Sequence, residues 1–198
     1  MIRTLALVLS LCAGSAAAEM YPVLAEVTGV AASSALNIRA APDAGAAIIG
    51  TLAPDATGIE VVAVADGWAR INHGEATGHV ALRHLRLAEG PPWTALAAPL
   101  ACHGTEPFWS LDIDPVAGTA TFRTPEPSGA RAEPIAQRWP GQPWAQTAAL
   151  ALPEGLVVLR PAACSDGMSD RGFGIAIDIF LSEPAGGRHS GCCSLDIR

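Results

Sequence analysis

The chain contains no lysine. Its 12 basic residues are all arginine and stand against 19 acidic residues, which gives a formal net charge of −7. The arginines are scattered and form no basic patch that could follow a phosphate backbone. The sequence also lacks a basic amphipathic helix of the kind that binds anionic membrane surfaces. We therefore expect no nucleic acid partner and no binding to a membrane surface.

The sequence also lacks an apolar run of about 20 residues, the length that a transmembrane helix needs. Its first apolar run, residues 5–13, is too short to span a bilayer. Arg3 precedes this run, and small residues at 16–18 follow it, which is typical of a cleaved signal peptide over residues 1–18. Cys12 does not follow a small residue, so a lipid anchor is not expected. These features predict a periplasmic or secreted protein with no transmembrane segment.

Four cysteines remain after the predicted signal, all of them beyond residue 100: Cys102, Cys164, Cys192 and Cys193. An even number of cysteines in an oxidising compartment favours disulfides. A bond between the adjacent Cys192 and Cys193 is geometrically unfavourable, so Cys102 and Cys164 should each bond one of that pair, in either combination. Oxidised cysteines do not ligate zinc, and no metal or other cofactor is expected.

Short strand-like runs separated by turn residues fill the stretch from 21 to 87. The hairpin dipeptide Asp66-Gly67 joins two of them. The pattern contains no helix signal and predicts a small barrel over residues 19–87. Its five predicted strands are 23–30, 36–39, 59–64, 68–72 and 78–82.

Four short motifs follow one another in this first domain. They are LNIRAAP at 36–42, IGTL at 49–52, DGW at 66–68 and GHV at 78–80. In this order they resemble a bacterial SH3-like domain, whose pattern is roughly L-N-V-R-x-x-P, I-G-x-L, x-G-W and G-[WY]-V. The resemblance covers nearly the whole first domain. It implies a small β-barrel that binds cell-wall peptides or protein segments and performs no chemistry itself.

Four residues of the first domain are candidates for ligand binding: Arg39, Trp68, Arg70 and His79. Arg39 and Arg70 should face outward, where an arginine either meets a carboxylate partner or is solvated, the commoner case. For Trp68 a packing role in the core is favoured over a ligand platform. His79 stands where the family usually has Trp or Tyr, and His84 where Tyr or Phe is common, so a ligand groove here would be weaker or wetter.

A proline-containing linker at 88–99 separates this domain from a second one at 100–198. Alternating runs such as 109–113 and 174–181 predict half-buried strands, the second with Asp178 facing out. The stretch 125–143 should be loop-rich, with Trp139 and Trp144 covering a barrel end or lining a cavity. The predicted fold is thus all-β, a small SH3-like barrel followed by a disulfide-stapled antiparallel β-barrel or curved sheet. Four residues of the run 174–181 are expected to face inward: Ile175, Ile177, Ile179 and Leu181.

The second domain also carries ordered motifs. They are GTEPFW at 104–109, CSDGMSD at 164–170 and GC at 191–192. Together they resemble a family of uncharacterised bacterial envelope proteins and lipoproteins with G-[NT]-E-P-F-W, C-x-D-G-M-S-D and a terminal G-C. The resemblance implies an envelope location and a compact β fold, and it brings no established activity.

The segment 164–170 concentrates carboxylates and hydroxyls, and we call it the polar loop. It could be a locally hydrogen-bonded turn, a ligand-binding loop or a metal cage. The turn is favoured because aspartate and serine bond nearby backbone N–H groups, and because the spacing lacks the ligand ladder of a calcium loop. Arg171 could neutralise one of its carboxylates. The candidate ligand-binding residues in this domain are Glu106, Trp109, Asp166, Ser169, Asp170 and Arg171.

No complete catalytic constellation is present in the sequence. A cysteine peptidase needs a free thiol beside a histidine, and each cysteine has a disulfide role instead. A glycosidase needs two carboxylates across a cleft, for which Glu106 with Asp166 or Asp170 is the available pair. The leading hypothesis is an exported, non-catalytic protein that binds peptidoglycan or an envelope protein through its SH3-like domain. The alternatives are an inhibitor of a wall-degrading enzyme such as lysozyme and a weak cell-wall hydrolase.

Overall fold

The computed structural model describes residues 21–125, 130–182 and 187–195, and the predicted signal peptide lies outside this range. The described residues form sixteen strands and two short 3₁₀ turns. The predicted fold class is confirmed. The chain is nearly all β, with two antiparallel sheets, one of which curls into a half-barrel.

The first sheet has seven antiparallel strands in the order β3-β2-β6-β5-β4-β1-β7. The prediction of five strands was wrong because it omitted β3 and β7. The strand β3 alternates poorly and is largely exposed at the sheet edge, and β7 is only three residues long. The strands are β1 Val23–Val27, β2 Leu36–Arg39, β3 Ile48–Leu52, β4 Ile59–Ala65, β5 Trp68–His73, β6 Ala76–Ala81 and β7 Leu85–Leu87.

The core of the first sheet follows from the period-2 alternation of its strands. In β2, Leu36 and Ile38 are buried while Asn37 and Arg39 lie on the opposite face. The predicted hairpin turn between β4 and β5 has positive φ at Asp66 and at Gly67, as two-residue hairpin turns require. The buried cluster comprises Ala25, Val27, Leu36, Ile38, Ile59, Val61, Ala69, Ile71, Val80 and Leu85.

The second sheet has nine antiparallel strands in the order β11-β10-β9-β8-β16-β15-β14-β13-β12. The final strand, β16, pairs with the first, β8, so the C-terminal strand lies in the middle of the sheet. The strands are β8 Leu100–Thr105, β9 Phe108–Asp114, β10 Thr119–Arg123, β11 Ala130–Pro134, β12 Gln137–Trp139, β13 Ala148–Leu152, β14 Gly155–Cys164, β15 Phe173–Leu181 and β16 Gly187–Leu195.

The two tryptophans of the middle stretch are exposed, contrary to the prediction from the sequence. Trp139 is 43% exposed and Trp144 is 83% exposed, so the expectation that they cover a barrel end or line a cavity was wrong. The stretch also contains β11 and β12, which the prediction of a loop-rich region missed. Both are short strands at the sheet edges. Apolar and polar residues hardly alternate in such strands, and all three residues of β12 are exposed.

The inward face of β15 is as predicted. Ile175, Ile177 and Ile179 are buried in the core of the second sheet, and Leu181 packs against that core. Asp178 lies on the opposite face, as alternation requires, yet it is only 6% exposed. Facing away from the core therefore does not place Asp178 in water.

Both disulfides link the central strand β16 to another part of the second sheet. Cys102 bonds Cys193 and Cys164 bonds Cys192, which confirms that each earlier cysteine pairs with one of the adjacent two. The first bond joins neighbouring strands, since Cys102 and Cys193 are direct partners in the β8–β16 ladder. The second ties the start of the polar loop to the sheet.

The segment between the sheets packs with the second one. Trp93 and Leu96 are buried in its core, although both fall within the predicted linker. The Trp93 indole N–H also donates a hydrogen bond of 3.3 Å to the carbonyl of Tyr21, at the start of the first sheet. The connection is therefore fixed to both sheets.

Candidate functional site

The polar loop is a turn held by its own side chains. Asp166 Oδ1 accepts hydrogen bonds from the backbone N–H groups of Met168 and Ser169, at 3.0 and 2.9 Å. Its Oδ2 accepts one from the Ser169 hydroxyl at 2.9 Å. Ser165 Oγ accepts the N–H of Gly167 at 3.2 Å. The local-turn interpretation thus accounts for Asp166 and Ser169 without any ligand.

The carboxylate of Asp166 also faces a histidine that the sequence did not single out for this role. Oδ2 of Asp166 lies 3.8 Å from Nε2 of His103, on β8. Burial alone would raise the pKa of Asp166, but the hydrogen bonds from Ser169 and Met168 lower it to about 2. Burial lowers the pKa of His103, which Asp166 partly offsets. The loop therefore holds an ionised aspartate beside a histidine.

The residues after the polar loop dock the second sheet onto the first. The N–H of Asp170 donates to the carbonyl of Glu75 at 2.8 Å. The amide of Asn72, on β5, both donates to the carbonyl of Gly172 and accepts from its N–H, at 2.9 and 3.0 Å. The backbone of Asp170 thus takes part in the contact between the two sheets.

Glu60, on β4, is a partly buried contact of the same interface that sequence reasoning missed. Its Oε1 accepts the N–H of Leu195, on β16, at 3.0 Å. Burial raises the pKa of Glu60 to about 7, against the lowering effects of that hydrogen bond and of Arg171. The alternating run 59–64 does not predict this contact, because the hydrogen-bond partner of Glu60 lies 135 residues away in the sequence.

Arg171 does not neutralise a carboxylate of the polar loop, and that expectation was wrong. Within the described chain it makes no ion pair. Its guanidinium instead lies over the Phe173 ring at 5.1 Å, while His103 meets the same ring edge-on at 5.0 Å. Arg171 is thus held by a cation–π contact, while its Nε is buried without a hydrogen-bond partner among the described residues.

Glu106 and Trp109 do not join the polar loop in a common site. Glu106 lies exposed in the turn between β8 and β9, and Trp109 is buried at 5% exposure. A Cβ on Gly104 would lie 2.4 Å from the Trp109 ring, and one on Gly191 would lie 2.0 Å from the carbonyl of His103. The glycines of the GTEPFW and GC motifs thus make room for Trp109 and for strand pairing, which are packing roles.

A groove with a volume of about 340 Å³ lies on the first sheet. Three of its walls are the segment 29–36, the end of β2 and the turn after β6. Trp68 lines it, so the core role favoured for that residue was wrong: Trp68 is partly exposed on the outer face of β5. The lining residues are Gly29, Val30, Ala31, Ser34, Ala35, Leu36, Asn37, Arg39, Ala44, Trp68, Ala81, Arg83 and His84.

The charge of the groove is one-sided. Arg39 and Arg83 line it together with His84, and no acidic side chain among the described residues does. Arg39 is positioned by a hydrogen bond of 2.7 Å from its Nη1 to the carbonyl of Ala46. Sequence reasoning named Arg39 and Trp68 for this region. It missed Arg83, and it noted His84 as a departure from the family pattern without assigning it to a site.

The register of β5 and β6 arranges the outer face of the first sheet in rows. Trp68 pairs with Ala81, and both line the groove. Two residues further along each strand, Arg70 pairs with His79, which in turn pairs with Arg39 of β2. We call Arg39, His79 and Arg70 the cationic row. The next row, Asn72 with Thr77, meets the second sheet at Gly172.

Among the described residues, no three histidine, cysteine, aspartate or glutamate side chains are grouped so that they could hold a metal ion. Within the same residues, no helix has the length and apolar character needed to cross a membrane. Comparison with protein-family models and with curated proteins finds no match for this chain.

Proposed function

We propose that the protein is an exported, non-catalytic component of the bacterial envelope that binds peptidoglycan or a segment of an envelope protein. Binding takes place in the groove of the first sheet. The observation that carries the proposal is the groove itself, about 340 Å³ in volume with Trp68 in its wall. A concave site of this size, lined mainly by apolar groups with a few polar ones, is typical of ligand-binding sites. The ordered SH3-like motifs and the signal-like N-terminus supply the envelope context.

The polar groups of the groove suit recognition better than reaction. Ser34 and His84 both line it, yet no hydrogen bond joins them in the described part of the chain, so the hydroxyl has no base to activate it. In the part of the chain that the structure describes, no carboxylate lines the groove for general acid–base work. An indole, two guanidinium groups and an asparagine amide remain, and such groups hold a ligand by stacking and hydrogen bonding.

The direct test is retention of the purified full chain on isolated cell-wall sacculi. The wild-type protein should sediment with sacculi, and Trp68→Ala should weaken binding at least about tenfold, since truncating a central aromatic anchor commonly costs that much. Trp144→Ala is the matched control, because Trp144 is 83% exposed and lies in the turn between β12 and β13, away from the first sheet. Equal retention of the Trp68 variant and the wild type would remove the groove as the binding site.

If no protein sediments with sacculi, the peptidoglycan part of the proposal fails and the envelope-protein part is tested separately. Cross-linking in intact cells, through a photoreactive residue at Ala44 in the groove wall, should then give a discrete product with an envelope protein. The same residue placed at Trp144 is the control. Without a product specific to position 44, the proposed function is wrong.

A further inference from the structure

The cationic row lies beside the groove, between Trp68 and the interface of the two sheets. Arg70 is two residues from Trp68 on the same face of β5, a step of about 7 Å along the strand. Arg39 belongs both to the groove wall and to the row. A ligand that runs from the groove towards the second sheet therefore meets the row.

The row contains nitrogen atoms that the protein leaves without partners. Nε of Arg70 and Nδ1 of His79 are both buried and make no hydrogen bond in the described part of the chain. Buried polar atoms are normally paired, and each exception calls for an explanation. Because Arg70 and His79 are direct cross-strand partners, the two unpaired atoms belong to neighbouring side chains of one row.

The row is also without a compensating carboxylate. Neither Arg39 nor Arg70 forms an ion pair with any acidic side chain among the residues that the structure describes, although the whole chain carries a formal charge of −7. By contrast, Arg86 of the same sheet is paired with Glu26. Arg39 and Arg70 thus keep two positive charges on either side of His79, in a protein with an excess of acidic residues.

The second sheet closes the far end of the row. A Cβ on Gly172 would lie 3.7 Å from the guanidinium carbon of Arg70, so the backbone after the polar loop passes next to this arginine. Asn72 fixes that backbone through its two hydrogen bonds to Gly172. Partial exclusion of water by this wall strengthens any charge interaction at Arg70.

From these observations we propose that the ligand carries an anionic oxygen group, a carboxylate or a phosphate, which binds to the cationic row. The inference rests on the proposed function of the groove and adds the chemistry of the ligand. Guanidinium groups recognise both anions through paired N–H donors, and a histidine N–H supplies a further donor. The apolar part of the ligand lies on Trp68, and its charged part lies on Arg70, His79 and Arg39.

Sacculus binding by full-chain variants tests the inference. Arg70→Gln keeps a polar side chain but removes the guanidinium and its charge, and it should weaken retention about tenfold or more. Arg70→Lys should restore part of the loss, because the charge returns without the paired donors. Arg86→Gln is the matched control on the same sheet and should bind like the wild type. Unchanged thermal unfolding of each variant shows that folding is intact.

The sacculi themselves distinguish the two anions. If the ligand is a carboxylate, wild type and Arg70→Gln should be retained equally on sacculi whose carboxyl groups have been amidated. If the ligand is a phosphate, the two proteins should instead be retained equally on sacculi from which phosphate-containing polymers have been removed. If wild type and Arg70→Gln bind untreated sacculi equally, the inference is wrong while the proposed function stands.

If the wild type does not bind sacculi at all, a soluble probe decides the inference independently of the wall. Inorganic phosphate and acetate are titrated separately into the full chain, and the ring resonances of His79 are followed by NMR. Saturable shifts at His79 that Arg70→Gln weakens would support the anion site. The absence of a saturable shift with both anions would overturn it, whatever partner the groove binds.

Discussion

Asp178 shows how one buried carboxylate organises the outer face of the second sheet. Its Oδ1 accepts hydrogen bonds from Arg188 at 2.9 Å and from the Ser190 hydroxyl at 2.6 Å, and its Oδ2 accepts one from Arg160. Burial acts to raise the pKa of Asp178, but these donors lower it to about 2. The arginines cover the carboxylate, which explains why a residue on the outer face is buried.

Replacing Asp178 by Asn should destabilise the protein by about 2 kcal/mol, since both arginines lose a charge partner in a partly buried site. Urea denaturation at neutral pH measures the change. Asp112→Asn is the control: the ion pair of Asp112 with Arg123 is largely exposed, so its loss should cost less than about 1 kcal/mol. Equal effects of the two substitutions would contradict the role given to Asp178.

The depressed pKa of Asp178 also sets the pH range of its contribution. A carboxylate whose pKa is lower in the folded protein stabilises it above the ordinary pKa, and this stabilisation is lost as the pH falls through the folded value. For Asp178 that range extends from 3.8 down to about 2. The difference in stability between wild type and Asp178→Asn should therefore shrink across this interval.

At the scale of elements, the two disulfides bind the same strand to different parts of the second sheet. Cys102–Cys193 closes a chain separation of 91 residues and Cys164–Cys192 one of 28. The loop-entropy relation then gives about 4.6 and 3.6 kcal/mol of stabilisation, respectively. The shorter loop contains the polar loop and the docking residues that follow it.

Serine pairs test the two bonds separately. Cys102→Ser with Cys193→Ser should lower the free energy of unfolding by about 4.6 kcal/mol, about 1 kcal/mol more than Cys164→Ser with Cys192→Ser. Chemical denaturation measures both. Only the second pair should also loosen the docking of Asp170 and Gly172, which hydrogen exchange at these two N–H groups would reveal. Equal protection of those groups in both variants would show that docking does not depend on the Cys164 bond.

The sequence predicted elements well where alternation was strong and failed where it was weak. Runs such as 174–181 alternate cleanly because one face is buried, and the inward residues were found. The strands β3, β11 and β12 lie at sheet edges, where exposed residues remove the pattern on which the prediction depends. The polar loop was recognised as a turn because aspartate and serine make their hydrogen bonds locally.

At the scale of the whole molecule, the contacts between the two sheets could not be predicted from the sequence. Glu60 and Asn72 look like ordinary strand residues, and the groups that they bind lie 135 and 100 positions further along the chain. For the groove, the sequence named Arg39 as an outward-facing candidate and Trp68 as a candidate for which a core role was favoured. The cationic row needed the register of three strands, which places His79 between Arg39 and Arg70.

Docking should depend on pH through Glu60. Its pKa is raised from 4.5 to about 7 in the docked protein, so folding takes up a proton between these values. A carboxyl whose pKa is raised contributes stability that is present below 4.5 and is lost as the pH rises through about 7.

Glu60→Gln keeps an acceptor for the Leu195 N–H but cannot titrate. Relative to this variant, the wild type should lose up to about 3 kcal/mol of unfolding free energy between pH 4.5 and 8. Urea titrations at both pH values measure it, with Glu26→Gln as the surface control that keeps the wild-type slope. If the unfolding free energy of Glu60→Gln changes with pH as much as that of the wild type, another group is responsible for the pH dependence.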